Sequence, residues 1–237
     1  MNHTILNLCK KHTLLIFFSV AFGMLSNVKA SVALSPYLNS KFSVQIFNAH
    51  TGGSLIVLLS GDGGNTSSNL KLAEALAKTD TTVLLINSKK YFWDQKTPEQ
   101  FATDIEELIL EYMKKEKKTS FSVAGYSFGA DVVSFLPKRI SPQLDKKMQH
   151  VLLFSPSETT DYVIKIADML PLVSKKRKYN VIEEISSHGR KVVCILGGDK
   201  EMYQKLSNTK VKILQFSGGH NFNNNFDSVV RELRKSI

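Results

Sequence analysis

Short apolar runs recur along the chain and alternate with longer amphipathic stretches. The runs are five to seven residues long and show no polar alternation. They lie at 54–60, 82–86, 120–124, 150–155, 191–196 and 211–216. Such runs are typical of strands buried on both faces of a parallel sheet. The stretch 42–47 (FSVQIF) predicts an antiparallel strand ahead of them.

Apolar residues at helical spacing fill the intervals between these runs. They predict helices over 70–77, 101–112 and 132–136, and a weaker pattern predicts a last helix over 222–233. Thr97-Pro98-Glu99 has the residue types of a helix N-terminus. Because strand and helix alternate four or five times, the pattern predicts one α/β domain with a mostly parallel sheet and helices on both faces.

The first thirty residues have the three parts of a secretory signal peptide. Lys10 and Lys11 precede an apolar run over 13–25, and Val28-Lys29-Ala30 follows with small side chains at its first and third positions. The run is shorter than the roughly 20 apolar residues of a membrane anchor. We therefore predict export, cleavage after Ala30, and a single domain over residues 31–237.

Charge and cysteine content restrict the function classes. The chain has a net charge of +10, and loss of residues 1–30 would leave +7. The basic residues are scattered or concentrated at 175–178, with no aromatic platform beside them, so nucleic-acid binding is the least favoured function. Cys194 would be the one remaining cysteine, which excludes an intramolecular disulfide and a paired-thiol metal site. We expect it to be a buried structural thiol.

Gly125-Tyr126-Ser127-Phe128-Gly129 follows the third apolar run and precedes a helical pattern. This is G-x-S-x-G between a strand and a helix, where a sharp turn lifts the serine hydroxyl above the sheet. The backbone N–H of Phe128 can then face a developing oxyanion. The motif predicts that Ser127 is a catalytic nucleophile; the alternative is an ordinary tight turn.

Two later loops supply the partners that such a serine needs. Serine is a weak nucleophile until an imidazole takes its proton, and His220 follows the last strand, where the base of this fold lies. Asp199, after the run 191–196, is the expected acid that orients the imidazole, with Glu201 as the fallback. A surface histidine and a solvated charged loop are the alternatives.

A glycine-rich loop completes the predicted site. Ser60–Gly64 (SGDGG) follows the first core strand, where this fold supplies the second oxyanion N–H, so we predict that role for the loop residues Gly61, Asp62 and Gly63. A phosphate-binding loop is the rival, but Asn65-Thr66 stands in place of its Lys-Ser/Thr pair. None of this chemistry implies a metal or an organic cofactor.

Three segments resemble the signature blocks of the bacterial virulence protein family VirJ/AcvB. They are Ser60–Gly64, Tyr91-Phe92-Trp93 with Lys96–Gln100, and Gly125–Val132 (GYSFGADV). The resemblance runs from about Leu55 to the C-terminus. It implies an exported α/β-hydrolase fold with a minimal lid or none, and a link of some members to type IV secretion. It also implies, from the AcvB branch, hydrolysis of lysyl-phosphatidylglycerol in the periplasm.

The resemblance gives further residues a function. Asp62 and Asp131 become carboxylates beside the nucleophile that can bind the ammonium groups of a lysyl ester. The alternative for Asp131 is a structural role, in which the helix dipole stabilises a carboxylate near the N-terminus of the helix. The triplet Tyr91-Phe92-Trp93, which contains the single tryptophan, is either a rim that contacts lipid or a packed corner.

The sequence as a whole thus predicts a periplasmic serine hydrolase that cleaves an aminoacyl ester of a phospholipid at the membrane surface. Two rival functions stay open. One is a non-enzymatic adaptor of the secretion apparatus that keeps a hydrolase fold, since fold does not determine function. The other is a generic carboxylesterase or thioesterase.

Overall fold

A computed structural model describes residues 34–48, 52–78, 81–164, 177–188 and 192–237 of the chain. The predicted signal peptide, residues 1–30, lies outside these ranges, so export and cleavage stay predictions. Among the residues that the structure describes, no helix combines the length and the apolar character needed to cross a membrane.

Strands and helices alternate along the described residues. The strands are β1 (Val44–Phe47), β2 (Ser54–Leu59), β3 (Thr81–Ile86), β4 (Phe121–Tyr126), β5 (Met148–Phe154), β6 (Thr159–Thr160), β7 (Tyr179–Asn180), β8 (Val192–Leu196) and β9 (Lys212–Gln215). The helices are α1 (Pro36–Phe42), α2 (Ser67–Ala77), α3 (Ser88–Tyr91), α4 (Pro98–Lys115), α5 (Phe128–Val133), α6 (Pro142–Asp145), α7 (Val181–Ser186), α8 (Lys200–Ser207) and α9 (Phe226–Ser236).

The main sheet has seven of these strands, in the order β1-β3-β2-β4-β5-β8-β9. β1 runs antiparallel to β3, with Val44 opposite Ile86, and every other neighbouring pair is parallel. The predicted mostly parallel sheet and its antiparallel first strand are therefore confirmed. The parallel strands end at one edge of the sheet, where ligands of open α/β sheets bind.

Helices cover both faces of this sheet, as predicted. Along β2, Val57 and Leu59 pack into a core with α1, α3, α4, α5, α7 and α8, whereas Leu58 packs with α2 and α9. Alternate residues of a buried strand thus serve two separate cores. Thr97 begins α4 as predicted, because its side chain accepts from the Gln100 N–H in a capping box.

The last helix begins later than the sequence pattern predicts. Residues 222–224 form a 3₁₀ turn in which Phe222, Asn223 and Asn224 have φ of 54°, 50° and 57°, and α9 starts at Phe226. Asparagine tolerates the left-handed region better than most residues. The prediction over 222–233 was therefore four residues too long at its start, because the asparagines turn the chain instead of continuing a helix.

Between β5 and β8 the chain departs from simple alternation. β6 and β7 form a separate two-stranded antiparallel sheet, with Thr160 opposite Tyr179. Tyr162 is fully buried beside them, and its hydroxyl donates to the Val132 carbonyl of α5 at 2.9 Å. Residues 165–176 belong to this region and lie outside the described residues. A minimal lid therefore stays a prediction there.

Candidate active site

The predicted nucleophile lies on a strained turn between β4 and α5. Ser127 has φ 55° and ψ −123°, a conformation that a residue with a side chain rarely adopts. Three backbone hydrogen bonds hold it. The Ser127 N–H donates to the Phe154 carbonyl at 2.9 Å, and the Ser127 carbonyl accepts from the Ala130 N–H at 2.8 Å and from the Asp131 N–H at 3.1 Å. The surrounding backbone therefore maintains the strain at this one serine.

The two glycines of the motif are required by close backbone contact. A Cβ on Gly125 would collide with the carbonyl of Gly129, and a Cβ on Gly129 would collide with the carbonyl of Leu59 at the end of β2. The turn over residues 125–129, which we call the elbow, therefore makes close backbone contacts both within itself and with the neighbouring strand β2. The G-x-S-x-G spacing has a steric origin here.

The glycine-rich loop after β2 lies beside the nucleophile. The Cβ position of Gly61 is 3.6 Å from the Ser127 Cβ. The Gly61 N–H, however, donates to the Asn69 side chain at 3.1 Å, which corrects the prediction that Gly61 supplies an oxyanion N–H. Within the described ranges, the N–H groups of Phe128, Asp62 and Gly63 donate no hydrogen bond and are available to a ligand. The buried Asn69, which no sequence motif marked, fixes this loop.

His220 is anchored through its backbone. Its carbonyl accepts from the Ser155 hydroxyl at 2.9 Å and from the Tyr126 hydroxyl at 3.4 Å. The His220 ring lies 5.5 Å from the Tyr126 ring, centroid to centroid. Because Tyr126 immediately precedes Ser127, this contact brings the predicted base to the elbow. In the sequence Ser155 only ends an apolar run, and no local motif marks its anchoring role.

Asp199 and His220 line the same cleft of about 200 Å³, together with Ser155. The backbones of their two loops meet at Gly197, where a Cβ would collide with the Gly219 carbonyl. The Asp199 carboxylate caps α8 by accepting from the Met202 N–H at 2.9 Å. Between the described residues, no hydrogen bond joins the His220 ring to Ser127 or to Asp199.

The fallback acid Glu201 is engaged elsewhere. Its carboxylate pairs with Lys205 at 2.9 Å, and Lys205 also bonds Glu158. The side chain of Glu201 is 74% exposed and does not line the cleft of Asp199 and His220. The geometry thus brings Asp199, and not Glu201, to the predicted base.

The charges of two carboxylates, Asp62 and Asp199, act on the ionisable groups of the site. The surrounding protein excludes part of the water from the His220 ring, which disfavours the charged form and lowers its pKa below the usual 6.5. The negative charges of Asp62 and Asp199 oppose this shift. Burial raises the pKa of Tyr126, and Asp62 adds to that shift. Asp62 is exposed, and it acts on His220, Tyr126 and Asp131 alike. Its charge therefore acts on the predicted base, on the tyrosine before the predicted nucleophile and on the buried carboxyl.

Asp131 is fully buried under the elbow. Its Oδ1 accepts from the Ser157 N–H at 2.6 Å, which ties α5 to the loop after β5, and its Oδ2 has no partner among the described residues. Burial raises the pKa of Asp131 to about 7, against the opposing effects of the Ser157 hydrogen bond and of Arg177. The charge of Asp62 raises it further.

The aromatic triplet after β3 divides between core and surface. Tyr91 and Phe92 are buried, and the Phe92 ring packs edge-on against Phe128 with centroids 5.1 Å apart. Trp93 is 53% exposed. The packed-corner alternative thus describes Tyr91 and Phe92, but not Trp93.

Comparison with known protein families identifies the family of this chain. The sequence pattern of a family described as bacterial virulence protein (VirJ) matches residues 53–237. The chain belongs to the VirJ family. The match contains the glycine-rich loop, the aromatic triplet and the elbow, as the resemblance predicted. No curated protein is significantly similar to the chain in sequence.

Solved structures place this VirJ chain in the α/β-hydrolase fold. Est1E from Butyrivibrio proteoclasticus matches with a TM-score of 0.57 and 14% identity, over 81% of this chain and 90% of that chain. A lipase-esterase related protein from Clostridium acetobutylicum gives 0.57 and 14%, over 82% and 99%. A hydrolase from Oleispira antarctica gives 0.59 and 11%, over 84% and 97%. The predicted fold is confirmed.

The buried carboxyl of Asp131 predicts a pH-dependent stability. Its folded pKa, about 7, lies above the ordinary 3.8, so the folded chain holds this proton more tightly than the unfolded chain. The resulting stabilisation is complete below about pH 3.8 and is lost as the pH rises through about 7. One pKa unit corresponds to about 1.4 kcal/mol.

Asp131→Asn removes this titration. Its Tm relative to wild type should therefore rise by several degrees between pH 5 and pH 8, as measured by calorimetry at both pH values. An equal Tm difference at both pH values would contradict a raised pKa at this site.

Proposed function

We propose that the chain is a periplasmic serine hydrolase that cleaves a carboxylic ester, with Ser127 as nucleophile, His220 as base and Asp199 as the orienting acid. The observation that carries this proposal is the strained turn at Ser127, which costs free energy and follows directly on Tyr126, whose ring contacts the His220 ring. Membership of the VirJ family and a fold shared with esterases support it.

The reaction would proceed by acyl transfer. The Ser127 Oγ attacks the ester carbonyl while His220 takes its proton, and the imidazolium then protonates the departing alcohol. Water, activated by the same imidazole, releases the acid from the acyl-enzyme. The N–H groups of Phe128 and of Asp62 or Gly63 would stabilise the oxyanion. A pKa of His220 below the usual 6.5 favours the neutral imidazole, which is the form that a general base requires.

The proposed mechanism requires Asp199 to bond the His220 ring, which it does not do in the structure. In the structure the Asp199 carboxylate caps α8, and it lines the cleft of His220 without bonding the ring. Catalytic hydrogen bonds often tighten only when substrate is bound. We assign to Asp199 the role of orienting the imidazolium once the site is occupied.

The proposed substrate is the aminoacyl ester of an anionic phospholipid, with lysyl-phosphatidylglycerol as the expected member. A neutral ester gives no reason for a carboxylate beside the nucleophile, whereas a lysyl group carries two ammonium charges. Asp62 is exposed and adjoins the elbow, so we assign the ammonium contact to it. Asp131 is fully buried, and we assign it the placement of the loop that begins at Ser155.

Two rivals remain distinct from this proposal. An adaptor of a type IV secretion system would need the fold but not the strained serine. A generic carboxylesterase or thioesterase would use Ser127 and His220 without any preference for a cationic acyl group. The following two predictions separate these functions.

Removal of the nucleophile and of the base should abolish hydrolysis of a short-chain chromogenic ester. Ser127→Ala and His220→Ala should each lower kcat by about three or more orders of magnitude, and the double variant should lose little more, because the two act as a unit. Asp199→Asn should also be severe, whereas Glu201→Gln is the matched control with activity close to wild type. Full activity in Ser127→Ala, or additive losses, would contradict the mechanism.

Removal of the exposed carboxylate should erode the preference for a lysyl ester. Asp62→Asn should lower kcat/KM for lysyl-phosphatidylglycerol roughly ten- to a hundredfold relative to alanyl-phosphatidylglycerol, since one charge-assisted contact is worth about 1.5–3 kcal/mol. Detergent micelles present both lipids, and product is quantified by chromatography. Asp131→Asn makes the same chemical change under the elbow and should leave this ratio unchanged.

A ratio that is unaltered in Asp62→Asn would remove the cationic head group from the proposal and favour the generic esterase. A ratio that falls only in Asp131→Asn would mean that the buried carboxyl, and not Asp62, carries the specificity.

A further inference from the structure

An exposed tryptophan and two lysines lie on the rim of the candidate site. Asn87, Lys89, Lys90, Trp93 and Asp94 line an open hollow of about 490 Å³, which we call the Trp93 surface. Lys89 and Lys90 are exposed and form no ion pair with the described residues. The surface therefore offers an external partner one large amphipathic ring and two cations without an ion pair, against the one carboxylate of Asp94.

Rigid contacts join the Trp93 surface to the nucleophile. Phe92, the residue before Trp93, packs on Phe128, the residue after Ser127. On the other side, the Ser88 N–H donates to the Ser60 hydroxyl at 2.9 Å, which fixes α3 to the start of the glycine-rich loop. Whatever binds the Trp93 surface is thereby held at a set position relative to Ser127.

The chemistry of the surface fits a bilayer better than a second protein core. Tryptophan is enriched at the membrane–water interface, where its apolar ring and its N–H are both satisfied. Each lysine near an anionic leaflet adds about 1 kcal/mol of attraction. The neighbouring apolar rings, Tyr91 and Phe92, are buried, so the described residues around Trp93 form no broad apolar patch of the kind that a protein partner would cover.

We propose that the Trp93 surface docks the protein on an anionic phospholipid bilayer, with the Trp93 ring at head-group depth and Lys89 and Lys90 against lipid phosphates. This docking would bring Ser127 to the layer in which an ester-linked head group lies. The inference deepens the proposed function by assigning a surface to its lipid partner. It stands on binding alone and does not require that the lipid be hydrolysed.

Trp93 is the single tryptophan of the chain, so intrinsic fluorescence reports on this surface alone. The exported form of Ser127→Ala is mixed with vesicles of phosphatidylcholine containing phosphatidylglycerol. We expect a blue shift of the emission, quenching by lipids brominated near the head group, and cosedimentation that 0.5 M salt weakens. Vesicles of phosphatidylcholine alone should give far weaker binding.

Two variants and a matched control locate the binding. Lys89→Gln with Lys90→Gln should weaken the vesicle partition coefficient about thirtyfold, at the attraction expected per lysine. Trp93→Ala should weaken it about tenfold or more. The control variant Lys114→Gln with Lys117→Gln removes two exposed lysines near the opposite end of β4. Its vesicle partition coefficient should fall only a few-fold. Equal thermal stability of all variants excludes misfolding as the cause.

Several outcomes would overturn the proposal. Absence of vesicle binding, or binding with unchanged Trp93 emission, would show that another surface contacts lipid or that none does. Emission that shifts with protein concentration in the absence of vesicles would assign the surface to a second copy of the chain. Equal losses in the control pair would reduce the effect to net charge. Because hydrolysis of a soluble ester by the wild-type protein is measured separately, failure of docking and failure of the proposed catalysis are distinguishable.

Discussion

The structure of the site depends on the close contact of three backbone segments at the elbow. Gly125, Gly129 and the end of β2 approach so closely that neither glycine has room for a side chain, and this contact holds Ser127 at φ 55°. A left-handed serine is unfavourable by itself, so the strain persists only because the packed sheet imposes it. Both the glycine-rich loop and the His220 loop contact the protein at this point.

The same contacts unite elements that are far apart in sequence. Tyr126 leads into the elbow and contacts the ring and the carbonyl of His220. Phe128 leads out of it and packs on Phe92, beside the exposed Trp93. The residues before and after the serine therefore determine where the base and the proposed lipid-binding surface lie. The proposed chemistry and the proposed lipid docking thus depend on the same packing contacts around Ser127.

Much of this architecture could be predicted from the sequence, because buried parallel strands leave a strong apolar pattern. The six core strands and the antiparallel first strand were predictable, and so was the chain order of the three loops that carry the proposed triad. Interactions between distant residues were not. Asn69 occupies the Gly61 N–H, and Ser155 anchors His220, yet neither side chain belongs to a local motif. Likewise, the spacing of Asp131 could not show that it is fully buried beneath Ser127.

The central claim is that the strained serine is the nucleophile, and covalent labelling tests it most directly. Purified protein is treated with a fluorophosphonate, digested, and mapped by mass spectrometry. The account predicts one adduct, on the peptide and at the residue Ser127, that is lost in His220→Ala and after prior unfolding. An unlabelled protein, or an adduct on the neighbouring Ser155, would contradict it.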